Sequence, residues 1–234
     1  MFNNLQLIAG AAILAGASHA LNVGLISDID LHLKYDATIG PRLDANGDCM
    51  IGSGEKNAHE ALLGRYGCDA PPQLVEAMFR RHRERFGKQD VLFVTGDFSA
   101  HHTSMPIENN ENPNDTYALL LDSLSGVNQI LAFYFPDTII LPVFGSTDSK
   151  FHDNPIPDED RSFFYEYMFN LWFKLLPAND KQISDTQKAE IKATFDEGGY
   201  YRLDLDDHVS VLALNTLYYD NLRDKEIATA TGTD

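Results

Sequence analysis

Three short apolar runs, each stopping at a turn that carries acids, punctuate this chain. The clearest is Val91-Leu92-Phe93-Val94. Its β-favouring residues predict a buried strand over 90–96. The run breaks at Gly96-Asp97, and Phe98-Ser99-Ala100-His101 follows. Two stretches repeat the design: Gly24-Leu25-Ile26-Ser27-Asp28-Ile29-Asp30 and Leu141-Pro142-Val143-Phe144-Gly145-Ser146-Thr147-Asp148. They predict strands over 22–27 and 138–144. Strands that end in this way deliver their acids to the carboxyl edge of a sheet, where open α/β folds bind ligands.

Helical patterns lie between the strands. Pro72 suits a first helical position, and Leu74, Val75, Met78, Phe79 and Phe86 form one apolar face that ends at Gly87. Arg80, Arg81, Arg83 and Arg85 surround that face and read as solvated. A second helix is predicted over 115–135, with a break at Gly126 and a stop at Pro136. The alternation predicts parallel strands joined by right-handed crossovers. A third helix, over 158–176, is rich in aromatics and reads as core, with a lipid-binding face as the alternative. Ser184 and Gln187 have the spacing of a capping box at the start of a helix running to Phe195. Stretches 198–205 and 209–214 then read as a hairpin turning through Asp206-Asp207-His208. The fold class is therefore α/β. No internal repeat or linker divides it.

Both ends depart from this pattern. Residues 5–17 are almost wholly apolar, and Ser18-His19-Ala20 offers small residues at the positions a signal peptidase reads. The expectation is a signal peptide over 1–20, too short for a stable membrane span. Residues 224–234 lack periodicity and read as a disordered tail. One domain, 21–223, lies between.

Charge narrows the function. The 234 residues hold 35 acids against 18 bases, a formal net charge of −17. That excludes a general nucleic-acid scaffold and adsorption to an anionic membrane by charge alone. Cys49 and Cys68 are the two cysteines. In a secreted chain they most simply form a disulfide. Asn114-Asp115-Thr116 is a glycosylation sequon at Asn114. Both features fit a secreted protein or one of a lysosome- or vacuole-like compartment.

Taken together, Asp28-Ile29-Asp30, Gly96-Asp97 and Gly145-Ser146-Thr147-Asp148, with the gaps between them, resemble the calcineurin-like metallophosphoesterases. Gly64-Arg65-Tyr66-Gly67-Cys68-Asp69-Ala70-Pro71-Pro72, Gly96 to His101, and Leu214-Asn215-Thr216 are similar to the acid sphingomyelinase-like branch, with endopolyphosphatases as neighbours. The likeness covers about 21–219. It implies a β-sandwich flanked by helices and a two-metal centre that hydrolyses phosphodiester or phosphoanhydride bonds. The implied substrates are phosphodiesters or polyphosphates, membrane lipids among them.

On this resemblance Asp97 bridges the two ions, Asp28 binds one of them, and Asp30 stands where the family has a histidine. A rival register takes Asp30-Leu31-His32 as the first motif. Ser146 stands where an asparagine ligand is usual, Thr147 replaces a histidine, and His101 contacts substrate or orients the site. Zinc is the family's metal, while a carboxylate in place of an imidazole tilts the preference toward Mg²⁺ or Mn²⁺. The family's further histidines, expected beyond Asn215, have no counterpart here. The expectation is that only the N-terminal part of the domain is complete, and the alternative function is a truncated or degenerate non-catalytic homologue.

Overall fold

The computed structural model describes residues 20–39, 49, 56, 59–101 and 113–219, with the backbone alone at 113–116. Residues 1–19 of the predicted signal peptide (1–20), most of the polar loop after His101, the Asn114 side chain and the predicted tail lie outside the described residues.

The chain is α/β. Strands β1 (Val23–Ile26), β2 (Val91–Val94) and β3 (Ile139–Pro142) form one parallel sheet in the order β1-β2-β3. Val23, Val91 and Ile139 lie in register, as do Ile26, Val94 and Pro142, so the three carboxyl ends sit side by side. The connecting helices are α1 (Pro72–Phe86) and α2 (Pro113–Tyr134). Pro72 opens α1, and Gly87 closes it with φ of 68°. Helix α2 runs unbroken through Gly126, which corrects the predicted break. A Cβ there would lie 3.3 Å from Leu31 Cδ2, so this glycine admits the loop after β1 to the helix surface.

Helix α3 (Asp158–Phe173) ends earlier than predicted, and a short helix α4 (Pro177–Gln182), not predicted, follows. Asn179 of α4 is buried against the free edge of β3. Its Oδ1 accepts from Ile140 N at 2.9 Å, and its Nδ2 donates to Ile140 O at 2.6 Å. The side-chain amide thereby occupies the place of a neighbouring strand. Helix α5 (Asp185–Gly198) begins with the predicted capping box of Ser184 and Gln187. Strands β4 (Tyr201–Asp204) and β5 (Ser210–Ala213) form the predicted antiparallel hairpin, and a 3₁₀ turn spans Thr216–Tyr219. The described strands make these two sheets, of three and two strands.

Seven residues of α3, including Phe164, Tyr165, Phe169, Trp172 and Phe173, are buried. That makes the aromatic helix core rather than a lipid-facing surface. Phe195 of α5 is fully buried among rings of Phe144, Tyr165, Phe169, Trp172, Phe173 and Tyr201 at 5.6–6.2 Å between centroids. Phe144 belongs to this cluster and directly precedes Gly145. The aromatic core thus anchors the loop that follows β3.

Candidate functional site

Beyond the sheet edge the chain segments remain in parallel. Leu31 forms isolated parallel bridges to Ser99 on one side and to Ala70 on the other. Ile29 and Asp30 donate their backbone N–H groups to Asp97 O at 2.9 Å, and Leu31 N donates to Phe98 O at 2.9 Å. Ala70 N donates to Asp30 O at 3.0 Å, and His32 N to Ala70 O at 2.8 Å. These bonds bring Asp30, Asp69, Asp97 and His101 to one place although they come from separate stretches. The Cys49–Cys68 disulfide forms beside this arrangement, as expected, and ties down the residue before Asp69.

The described residues outside glycine with a left-handed backbone are Asp28 (φ 53°), Asp30 (φ 47°), Asp97 (φ 52°) and His152 (φ 51°). Three of the four are the aspartates singled out in the sequence. Aspartate tolerates this region better than most residues, yet such conformations cost free energy and concentrate at functional sites.

Asp97 Oδ1 accepts from Ser146 Oγ and Thr147 N, both at 3.0 Å. Thr147 Oγ1 lies 3.2 Å from the same oxygen, but its closer partner is Ser99 O at 2.6 Å, which takes its single proton. Asp28 is exposed, and Ser27 Oγ donates to its carboxylate. Asp30 Oδ1 is buried with no hydrogen-bond partner. His101 Nδ1 is 3.9 Å from that oxygen and 2.9 Å from Asp69 Oδ1. His32, the ligand of the rival register, is buried next to Leu31.

Asp148 holds the framework. It is fully buried, and its carboxylate accepts four backbone N–H groups: Gly145 at 2.7 Å and Asp97 at 3.0 Å on Oδ2, Phe98 at 2.7 Å and Ser99 at 3.3 Å on Oδ1. It clasps the turn after β2 to the turn after β3. Its presence in the third motif was visible in the sequence; its four donors were not.

Burial pushes the Asp30 carboxyl up to about 7; the charges of Asp69, Asp97 and Asp28 add to this, and His101 opposes it. Burial also pushes Asp148 up to about 7, with the N–H of Gly145 pulling it back and the charge of Asp97 adding to the rise. His101 is raised from its ordinary value: burial lowers it, but the bond to Asp69 and the charges of Asp69, Asp30 and Asp97 outweigh that. All three groups therefore hold protons in the folded chain at pH values where the unfolded chain has released them. Stability from the two carboxyls is complete below about pH 4, their ordinary range, and is lost as pH rises toward 7. His101 extends the loss above its ordinary 6.5. The metal-free chain should unfold at higher urea concentration at pH 5 than at pH 8. An equal or higher midpoint at pH 8 in chelator would contradict this charge arrangement.

The donor chemistry can be tested against a cation. Asp30 presents a buried oxygen without a donor, amid the charges of Asp28, Asp69 and Asp97. That is an environment a hard, oxygen-seeking ion would relieve. Among the described residues, however, no group of three or more His, Cys, Asp or Glu side chains is placed to hold an ion. The carboxylates share an edge without closing on one point.

Comparison with known proteins adds a direction. The likeness is to sphingomyelin phosphodiesterases. Over 159 residues the chain is 28% identical to sphingomyelinase phosphodiesterase C of Dictyostelium discoideum, covering 68% of this chain and 31% of that protein. Over 205 residues it is 27% identical to sphingomyelin phosphodiesterase B of the same organism, covering 84% of this chain and 28% of that protein. The chain spans less than a third of the length of these curated relatives. No protein-family profile matches it. The sphingomyelin phosphodiesterase likeness supports the sphingomyelinase-like part of the resemblance read from the motifs.

The sequence-predicted residues Asp28, Asp30, Asp97, His101 and Ser146 all fall at this one edge. Asp69 and Asp148 are positions at this edge that the sequence did not single out. Both lay inside quoted motifs, but their partners are distant in sequence, 32 positions for Asp69–His101 and 49 to 51 for Asp148 with the turn after β2.

Proposed function

We propose that this chain is a sphingomyelin phosphodiesterase-like hydrolase domain that binds a divalent cation through Asp28, Asp30 and Asp97. The observation that carries the reading is the left-handed backbone at those three aspartates, held by surrounding hydrogen bonds. Bound there, a divalent cation would polarise a phosphoryl oxygen and supply a water of lowered pKa. Asp97 is immobilised for this by Ser146 and Thr147 on one oxygen. His101 stands beside Asp30 with its ring half exposed, placed to meet the phosphoryl group or the leaving oxygen. The all-oxygen donor set favours Mg²⁺ or Mn²⁺ over zinc.

The relatives' names point to a phosphodiester lipid as substrate. The Cys49–Cys68 disulfide suits a secreted or lysosome-like location. Among the described residues no helix is long and apolar enough to cross a membrane. A phosphodiester lipid, as the relatives' names suggest, would be met at a lipid surface.

A second reading, a homologue that keeps the fold without catalysis, is favoured by one feature. Among the described residues no three His, Cys, Asp or Glu side chains converge to hold an ion.

Calorimetric titration with Mn²⁺, followed by assay on a bis-aryl phosphodiester, tests the proposal. The expected result is binding that Asp97→Asn abolishes, with turnover falling at least about 100-fold in the same variant. Binding without turnover would select the second reading. Absence of binding at millimolar metal would overturn both the site and its proposed role.

A further inference from the structure

Asp69 has a position too well defined for an incidental surface acid. Its side chain is only 11% exposed, while that of His101 is 57% exposed. Both of its oxygens are directed at one residue. Oδ2 accepts the backbone N–H of His101 at 3.0 Å, and Oδ1 faces His101 Nδ1 at 2.9 Å. Asp69 itself is fixed from both sides, by the disulfide at Cys68 and by the bridge between Ala70 and Leu31.

We propose that Asp69 is a positioning residue that sets the ring orientation and tautomer of His101, turning Nδ1 inward and presenting Nε2 to substrate. The substrate-facing role of His101 rests on the function proposed above; the positioning itself does not.

A backbone N–H always donates, so one Asp69 oxygen is permanently committed to it. An ionised carboxylate has no proton to give, so the second oxygen can only accept, and Nδ1 must carry the hydrogen. In the neutral ring the lone pair then lies on Nε2. In the imidazolium, Nε2 carries the proton that a leaving oxygen could take. The same logic governs the aspartate–histidine pair of serine proteases, where the acid orients the ring without itself being protonated. Asp30 Oδ1, 3.9 Å from Nδ1, is beyond hydrogen-bond reach and adds only charge on the inner side.

Asp69→Asn separates this role from a plain ion pair. The amide has one oxygen, which the backbone N–H must keep. Its NH₂ group then faces Nδ1, which becomes an acceptor, and the ring proton moves to Nε2. In ¹⁵N-labelled full chain with chelator, above the ring's titration, the two-bond ¹⁵N–¹H couplings report the tautomer directly. The expected result is Nδ1–H in the wild type and Nε2–H in Asp69→Asn, with a mixture of both in Asp69→Ala. A wild-type Nε2–H ring, or one tautomer shared by wild type and Asp69→Asn, overturns the proposal. The wild-type spectrum decides even if a variant fails to fold.

On a bis-aryl phosphodiester with Mn²⁺, Asp69→Asn should lower kcat about 10- to 100-fold with KM nearly unchanged. Wild-type kcat alongside a switched tautomer would overturn the link to hydrolysis. A wild type without turnover would count against the proposed function, while the tautomer would still decide the positioning.

Discussion

Asp148→Ala should leave little folded protein. The substitution strands four backbone N–H groups, those of Phe98 and Ser99 buried and those of Gly145 and Asp97 partly buried. Each unsatisfied buried donor costs about 1–3 kcal/mol, so the two buried ones cost roughly 2–6 kcal/mol and the other two add to this. That is comparable to the whole stability of a typical domain, about 5–15 kcal/mol. Urea unfolding should show a midpoint shifted far toward zero, or no cooperative transition. Asp148→Asn keeps one acceptor oxygen but turns an NH₂ toward two donors, so it should fall between the alanine variant and the wild type. A wild-type midpoint for Asp148→Ala would mean that the two turns are held by something other than this carboxylate.

Gly145→Ala should cost the site more than it costs the fold. A Cβ at this position would press on the backbone N of Asp97 and lie 2.8 Å from its carboxylate carbon. Backbone cannot swing away as a side chain can, so one of the two turns must move. Gly96 makes the reciprocal approach, with φ of 94° and a would-be Cβ 2.9 Å from the carbonyl carbon of Phe144. Overpacking of this kind costs about 1–3 kcal/mol in stability. The displacement of Asp97 should lower Mn²⁺ affinity by about tenfold or more, since bound ions tolerate little error in ligand position. Calorimetric titration and urea unfolding of the same variant separate the two effects. Undiminished affinity would place the ion away from Asp97.

The sequence was most legible where burial and local rules coincide. The runs at Val91–Val94 and Ile139–Pro142 are apolar because both faces of the sheet centre are covered, and they read as strands at once. Pro72, Gly87, Ser184 and Gln187 act within their own helices, and they appear where local chemistry put them. Gly126 misled because a contact from elsewhere in the chain, Leu31, decides what a glycine does there. Helix α4 has six residues, too few for a periodicity to emerge. The candidate site divides in the same way. The positions of Asp28, Asp30 and Asp97 follow from strand ends, which local pattern reveals. Their left-handed backbone, the pairing of Asp69 with His101 and the four donors to Asp148 arise from segments meeting in space, which no spacing along the chain encodes.

The amide of Asn179 has one more effect. By occupying both backbone groups of Ile140 it closes the outer margin of β3 to strand addition. No described segment does the same for β1, whose Leu25 is 63% exposed. Among the described residues a side-chain amide thus closes the margin of β3, and β2, whose end carries Asp97, is flanked by a strand on either side.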